Sequence, residues 1–174
     1  MKPRIIICLL ALTFSACATN PVGYLAPSVV PPERWQVDFA TERWHFVSNS
    51  QNRNSRIIER VPEGQTGENW KEIVTDQFIP GRFPTTSYFI QVDLSDLRRV
   101  VDGFQSAVIY DTGAEALYEW WHPDSGKWPA EHQLTLVKYY PTGILTLAYA
   151  RKGPRMDEAT RSKWIERLKN AKLR

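Results

Sequence analysis

Side chains able to hold or move a proton are few in this chain, and their spacing says little about a reaction. Three histidines occur, His45, His122 and His132. Two of them stand near acids, so that His122 and His132 with Glu119 or Glu131 compose the one set suited to proton transfer in a hydrolysis or to holding a metal ion. Their spacing fits no HExxH-type or paired-ligand pattern, and polar strand ends account for them, so no metal is expected. His45 reads as a half-buried spacer in a strand. Glu115 and Glu119, four apart on one strand, share a face as a glycosidase pair would; a solvated strand face has the same pattern. Ser87, Ser95, Ser106 and Ser125 lack the Gly-x-Ser-x-Gly elbow, and no glycine loop is built for a phosphate. The expectation is a chain with no catalytic residue.

Tryptophan is the unusual component, with seven copies. Trp70 and Trp164 read as helix-face core residues. Trp120 and Trp121 are neighbours on a strand and point to opposite faces, so one of them leaves the main core. Tyr118 shares the Trp120 face, and Trp128 follows a Pro-Asp-Ser-Gly turn. Tyr118, Trp120, Trp121 and Trp128 are thus a candidate ligand-binding patch for glycan rings or a protein surface, unless helices cover both faces.

Residues Met1 to Cys17 read MKPRIIICLLALTFSAC. Lys2 and Arg4 form a basic start, and Ile5 to Phe14 an apolar run too short for a hydrocarbon core of about 30 Å. Phe14-Ser15-Ala16-Cys17 resembles the lipobox of bacterial lipoproteins. The resemblance implies a signal peptide over residues 1–16, a diacylglycerol on the Cys17 thiol and an N-acyl chain on the new amine. More than one acyl chain gives stable anchoring. Ala18 and Thr19, in place of the aspartate that retains such proteins in the inner membrane, imply the outer membrane with the domain in the periplasm. Cys8 leaves with the signal and Cys17 carries lipid, so no thiol remains for a disulfide, nucleophile or metal. No cofactor is expected beyond this lipid.

The whole chain has 174 residues, 43% hydrophobic and 24% charged, with a net charge of +3. That suits a single globular domain and excludes collagen-like, disulfide-framework and polytopic membrane classes. Two of the excess positive charges belong to the signal, and the nearly balanced remainder argues against nucleic acid. Residues 17–34 hold Pro21, Pro27, Pro31 and Pro32 and read as a spacer from the lipid. It either stands extended or packs through Tyr24, Leu25, Val29 and Val30. The domain then occupies residues 35–174.

Within it, Trp44–Ser48 and Arg56–Val61 read as strands around a polar turn. Thr66 is a candidate N-cap for a helix to Phe78, because Trp70, Ile73, Val74 and Phe78 recur at helical spacing. The stretch Thr86–Asp102 has strand formers at Tyr88–Val92, yet Ile90, Leu94, Leu97 and Val101 favour a helix, with Gly103 as its stop. Asp111-Thr112-Gly113 joins Ala107–Tyr110 to Glu115–His122, and Pro141-Thr142-Gly143 joins Leu134–Tyr140 to Ile144–Ala150, as two hairpins. The last of these strands is apolar on both sides and reads as central. A final helix spans about Asp157–Lys172. The fold class is α+β: a mainly antiparallel sheet packed by two or three helices, one of them C-terminal.

Arg56 to Phe78, RIIERVPEGQTGENWKEIVTDQF, and Gly143 to Leu173, with GILTLAYARKG before RSKWIERLKNAKL, together resemble a group of small bacterial envelope proteins. Their shared core is VP-x-G-x-T-x-x-NW, followed by a strand and a Trp-bearing terminal helix. The likeness carries over no site residue. A looser one is to the PsbP-type α+β sandwich. The functional expectation is a non-catalytic outer-membrane lipoprotein, bound to membrane by lipid and docking onto an envelope protein assembly such as a secretion or transport machine. The alternatives are a periplasmic glycan or peptidoglycan binder and a hydrolase.

Overall fold

The computed structural model describes residues 30–174, so the signal and Cys17 lie outside the described residues. The strands are β1 (Trp35–Gln36), β2 (Trp44–Gln51), β3 (Arg56–Pro62), β4 (Glu72–Pro80), β5 (Gln105–Asp111), β6 (Glu115–His122), β7 (Glu131–Tyr140), β8 (Gly143–Lys152) and β9 (Lys172–Leu173). The helices are α1 (Thr86–Val100), between β4 and β5, and α2 (Glu158–Lys169), after β8. Seven strands form one antiparallel sheet in the order β2-β3-β4-β8-β7-β6-β5, and β1 pairs with β9 apart from it. The domain is α+β.

The sheet is buried on both faces because the helices take opposite sides. α2 sets Trp164 and Leu168 against Leu117, Leu134, Leu136, Leu145, Leu147 and Tyr149. The Trp164 and Tyr149 rings stack with centroids 3.7 Å apart. α1 sets Phe89, Ile90 and Leu94 against Ala116, Tyr118, Trp120 and Val137. Both helices start on a side-chain cap: Thr85 accepts from the Tyr88 N–H, and Asp157 from the Thr160 N–H.

Residues 66–78 are not a helix. Thr66 instead closes a turn, accepting from the N–H groups of Glu68 and Asn69, and β4 follows. Val74 and Phe78 join the α2-side core, while Trp70 and Ile73 pack with Val61 and Ala150 in a separate cluster. A central strand buried on both faces is apolar at odd and even positions alike, so a helical spacing can be read through it. Phe78 also explains Gly143. A Cβ there would run into the Ile79 carbonyl and stand 2.8 Å from the Phe78 ring.

Residues before Trp35 also join the core. Val30 is buried in the α2-side core, and the Pro31 carbonyl accepts from Arg56 at 2.8 Å. Arg56 pairs with Asp76 at 3.2 Å with both side chains fully buried, and Asp76 also accepts the Trp35 N–H. Reciprocal backbone bonds between Arg34 and Arg174 continue the β1–β9 pairing.

Candidate functional site

The β6–β7 hairpin carries most of the residues with chemical potential, and the pleat divides them. Its register sets Trp121 opposite His132 and His122 opposite Glu131. Side chains alternate along each strand, so Glu119, Trp121 and His132 face α2, whereas Tyr118, Trp120, His122 and Glu131 face α1. His122 and His132, with Glu119 and Glu131, therefore do not converge. They form two separate His–Glu pairs.

On the α2 side, Glu119 is the hub. His132 Nε2 lies 3.2 Å from Glu119 Oε2, and Arg161 of α2 grips both carboxylate oxygens at 2.7 and 3.2 Å. Arg155 adds a cation 3.6 Å away. Burial opposes the charge on Glu119, but His132 and Arg161 overcome it and hold the carboxyl at about 2. The Met156 N–H donates to His132 Nδ1 at 3.0 Å, so that nitrogen is the acceptor and the ring proton sits on Nε2, directed at Glu119.

On the α1 side, the surroundings have opposite character. Glu131 is 4% exposed, and desolvation pushes it up to about 8 against the weaker pull of Lys152. That ammonium already lies 3.8 Å above the Trp70 ring. Burial therefore favours the protonated form of Glu131. His122 stacks on Trp120, and its Nδ1 lies 2.8 Å from the Pro123 carbonyl, which can only accept. The two histidines thus hold opposite tautomers. His122, Glu131, Trp120, Trp128 and the last turn of α1 enclose a cavity of about 20 Å³, room for one water. Trp128 covers it and donates Nε1 to the Val100 carbonyl at 3.2 Å, satisfying one of the free carbonyls at that helix end.

The four aromatic residues do not form one surface. Tyr118 and Trp120 are buried beneath α1, and the Tyr118 hydroxyl donates to Asp93 at 2.6 Å. Trp121 lies on the other face with the Arg155 guanidinium 4.0 Å above its ring. Trp128 belongs to the loop over α1. Beside this loop an open groove of about 780 Å³ runs along the end of the sheet, lined by Trp121, Arg155, Gln105, Asp124, Pro129 and Pro154 among others. Glu115 and Glu119 share a face, but Glu115 is bound to the Tyr110 hydroxyl and Glu119 to Arg161. His45 is exposed on the edge strand β2.

Arg155 and Arg161, which give this region its charge balance, were not anticipated from spacing. Arg161 lies 42 residues from Glu119 and reads as part of a solvated helix face. Among the described residues no group of three His, Cys, Asp or Glu is placed to hold a metal ion, and no helix is long and apolar enough to cross a membrane. Compared with known protein families, curated proteins and solved structures, the chain matches none.

Proposed function

We propose that this chain is a lipid-anchored outer-membrane protein whose periplasmic domain works by docking onto an envelope protein assembly rather than by catalysis. The observation that carries the reading is the sequence MKPRIIICLLALTFSAC, with Cys17 as the acylated residue. Supporting it, the polar groups that first suggest chemistry have structural employment. Glu119, His132 and Arg161 bind α2 to the hairpin, and Trp128 and His122 fasten a loop over α1. Two or three acyl chains supply the membrane affinity, about 0.8 kcal/mol per buried CH₂, so the domain surface is left for a partner.

Mass spectrometry of the N-terminal fragment, combined with in-cell crosslinking of wild type and Cys17→Ser, tests this. The expected result is a diacylglyceryl, N-acylated Cys17 and a defined set of envelope proteins crosslinked only to the acylated form. An unmodified Cys17 removes the anchor, and identical crosslinks in both forms remove the anchored docking.

The groove beside Trp121 and Arg155 favours a second reading, a glycan or peptidoglycan binder. Its aromatic and cationic walls suit a sugar that bears a carboxylate. A tryptophan emission change on adding muropeptides, abolished in Trp121→Ala, supports that reading. No change in wild type dismisses it.

A further inference from the structure

The large sheet ends in two edges, β2 and β5, and they differ in character. The second half of β2 is polar, Ser48-Asn49-Ser50-Gln51, and the exposed Phe46 before it lies 4.5 Å from the Arg60 guanidinium. β5 instead carries Ala107-Val108-Ile109-Tyr110, a run that suits a strand. An edge is a template for a further strand unless lysine, proline, a bulge or a covering element blunts it. β5 has neither lysine nor proline, and one bulge, between Val108 and Tyr110. Val108, its central residue, is 53% exposed.

Between α1 and β5 lies an open groove of about 430 Å³. Ile90 and Leu94 give it an apolar floor. Ser106 and Val108 line it from β5, because they stand opposite Trp120 and Tyr118 and share their face. The two ends of the groove carry opposite charges. At the start of β5, exposed Arg98 donates to the Ser106 hydroxyl at 2.8 Å. At its end, exposed Asp111 accepts from Thr86, Ser87 and the Gly113 N–H. Those donors are neutral, so the negative charge of Asp111 stands.

We propose that β5 pairs antiparallel with β5 of a second copy of this chain, about a twofold axis near Val108, so that two domains share one continuous sheet. Antiparallel pairing sets the Ser106 end of one strand beside the Asp111 end of the other. Arg98 then meets Asp111 of the partner subunit, and the twofold makes the contact twice. At the axis Val108 meets Val108 of the partner subunit, which withdraws both from water. A groove of one sign would repel its own copy, whereas this one complements it. The inference depends neither on acylation of Cys17 nor on docking to an envelope assembly.

Sedimentation equilibrium of the full mature protein in density-matched detergent tests this. A reversible dimer in the micromolar range is expected. Val108→Glu sets like charges together at the axis and should leave a monomer with unchanged circular dichroism. Arg98→Glu should weaken dimerisation by about tenfold, since the twofold counts each lost ion pair twice. A wild-type monomer up to high micromolar concentration, or a dimer indifferent to both substitutions, overturns the proposal. Val108→Cys probes the axis without adding charge. Opposed residues of an antiparallel pair have Cα atoms about 4.5–5.5 Å apart, within reach of a disulfide. Mild oxidation should link position 108 to position 108, read as the joined peptide by mass spectrometry, far ahead of Asn54→Cys in the turn beside the opposite edge. Equal linkage at 54 and 108 overturns the β5 contact even where a dimer forms.

Discussion

The two faces of the β6–β7 hairpin hold the same pair of residue types in opposite electrostatic states. Glu119 with His132 is ionised far below its ordinary range, and Glu131 with His122 stays protonated through neutrality. Both are hidden from solvent, at 1% and 4% exposure, but Glu131 lies under more protein and is desolvated further. The neighbour supplied from outside the hairpin differs as well. α2 brings the Arg161 fork to one face, whereas α1 ends over the other in Leu97, Val100 and Val101. A buried carboxylate takes its charge state from the helix laid over it.

The hardest blow to this contrast is Arg161→Met. Removing one partner of a buried ion pair leaves Glu119 without compensation, and about 3 kcal/mol of stability should be lost, measured as a shift in urea midpoint. A change within error would mean that His132 and Arg155 alone support the charge. The contrast sharpens with Glu131→Gln. The unfolded chain ionises this group near 4.5 while the folded one keeps its proton to about 8, so wild-type stability falls as pH rises across that window. The amide cannot ionise. The variant should match wild type at pH 4 and exceed it by roughly 4 kcal/mol at pH 8; equal pH profiles would show that Glu131 is charged.

Glu119→Gln tests the other slope. Its folded value of about 2 gives stability that is complete above the ordinary carboxylate range and lost as pH falls toward 2. The deficit of this variant should therefore shrink on acidification. Trp128→Phe keeps the ring over the cavity but deletes the bond to the Val100 carbonyl, with an expected cost of about 1 kcal/mol. Smallest in energy is the tautomer difference. Long-range nitrogen–proton spectra should show His132 protonated at Nε2 and His122 at Nδ1, and the same tautomer in both would undo the assignment of their partners.

Much of the architecture could be read from the chain because it is written locally. The Ile90–Leu94–Leu97 stripe marks α1, and the turns at Gly113 and Gly143 mark two hairpins. The same local reading failed at Ile73–Phe78, where burial on both faces erased the period-2 signal. It also passed over β1 and β9, whose two residues each carry no period. The site was less legible. Alternation separates Trp120 from Trp121, but which face receives Arg161 depends on how a helix 42 residues downstream is laid across the sheet, and which carboxyl lacks a cation depends on the apolar end of α1 over the other face.

The clasp between β1 and β9 bears on how the protein is made. Trp35, near the start of the described residues, pairs with Leu173, 138 positions later. Contacts so distant in sequence form late. Until residues 172–173 are in place, β1 lacks its strand partner, although Trp35 can already meet Asp76. The seam therefore closes only after both ends of the domain are present.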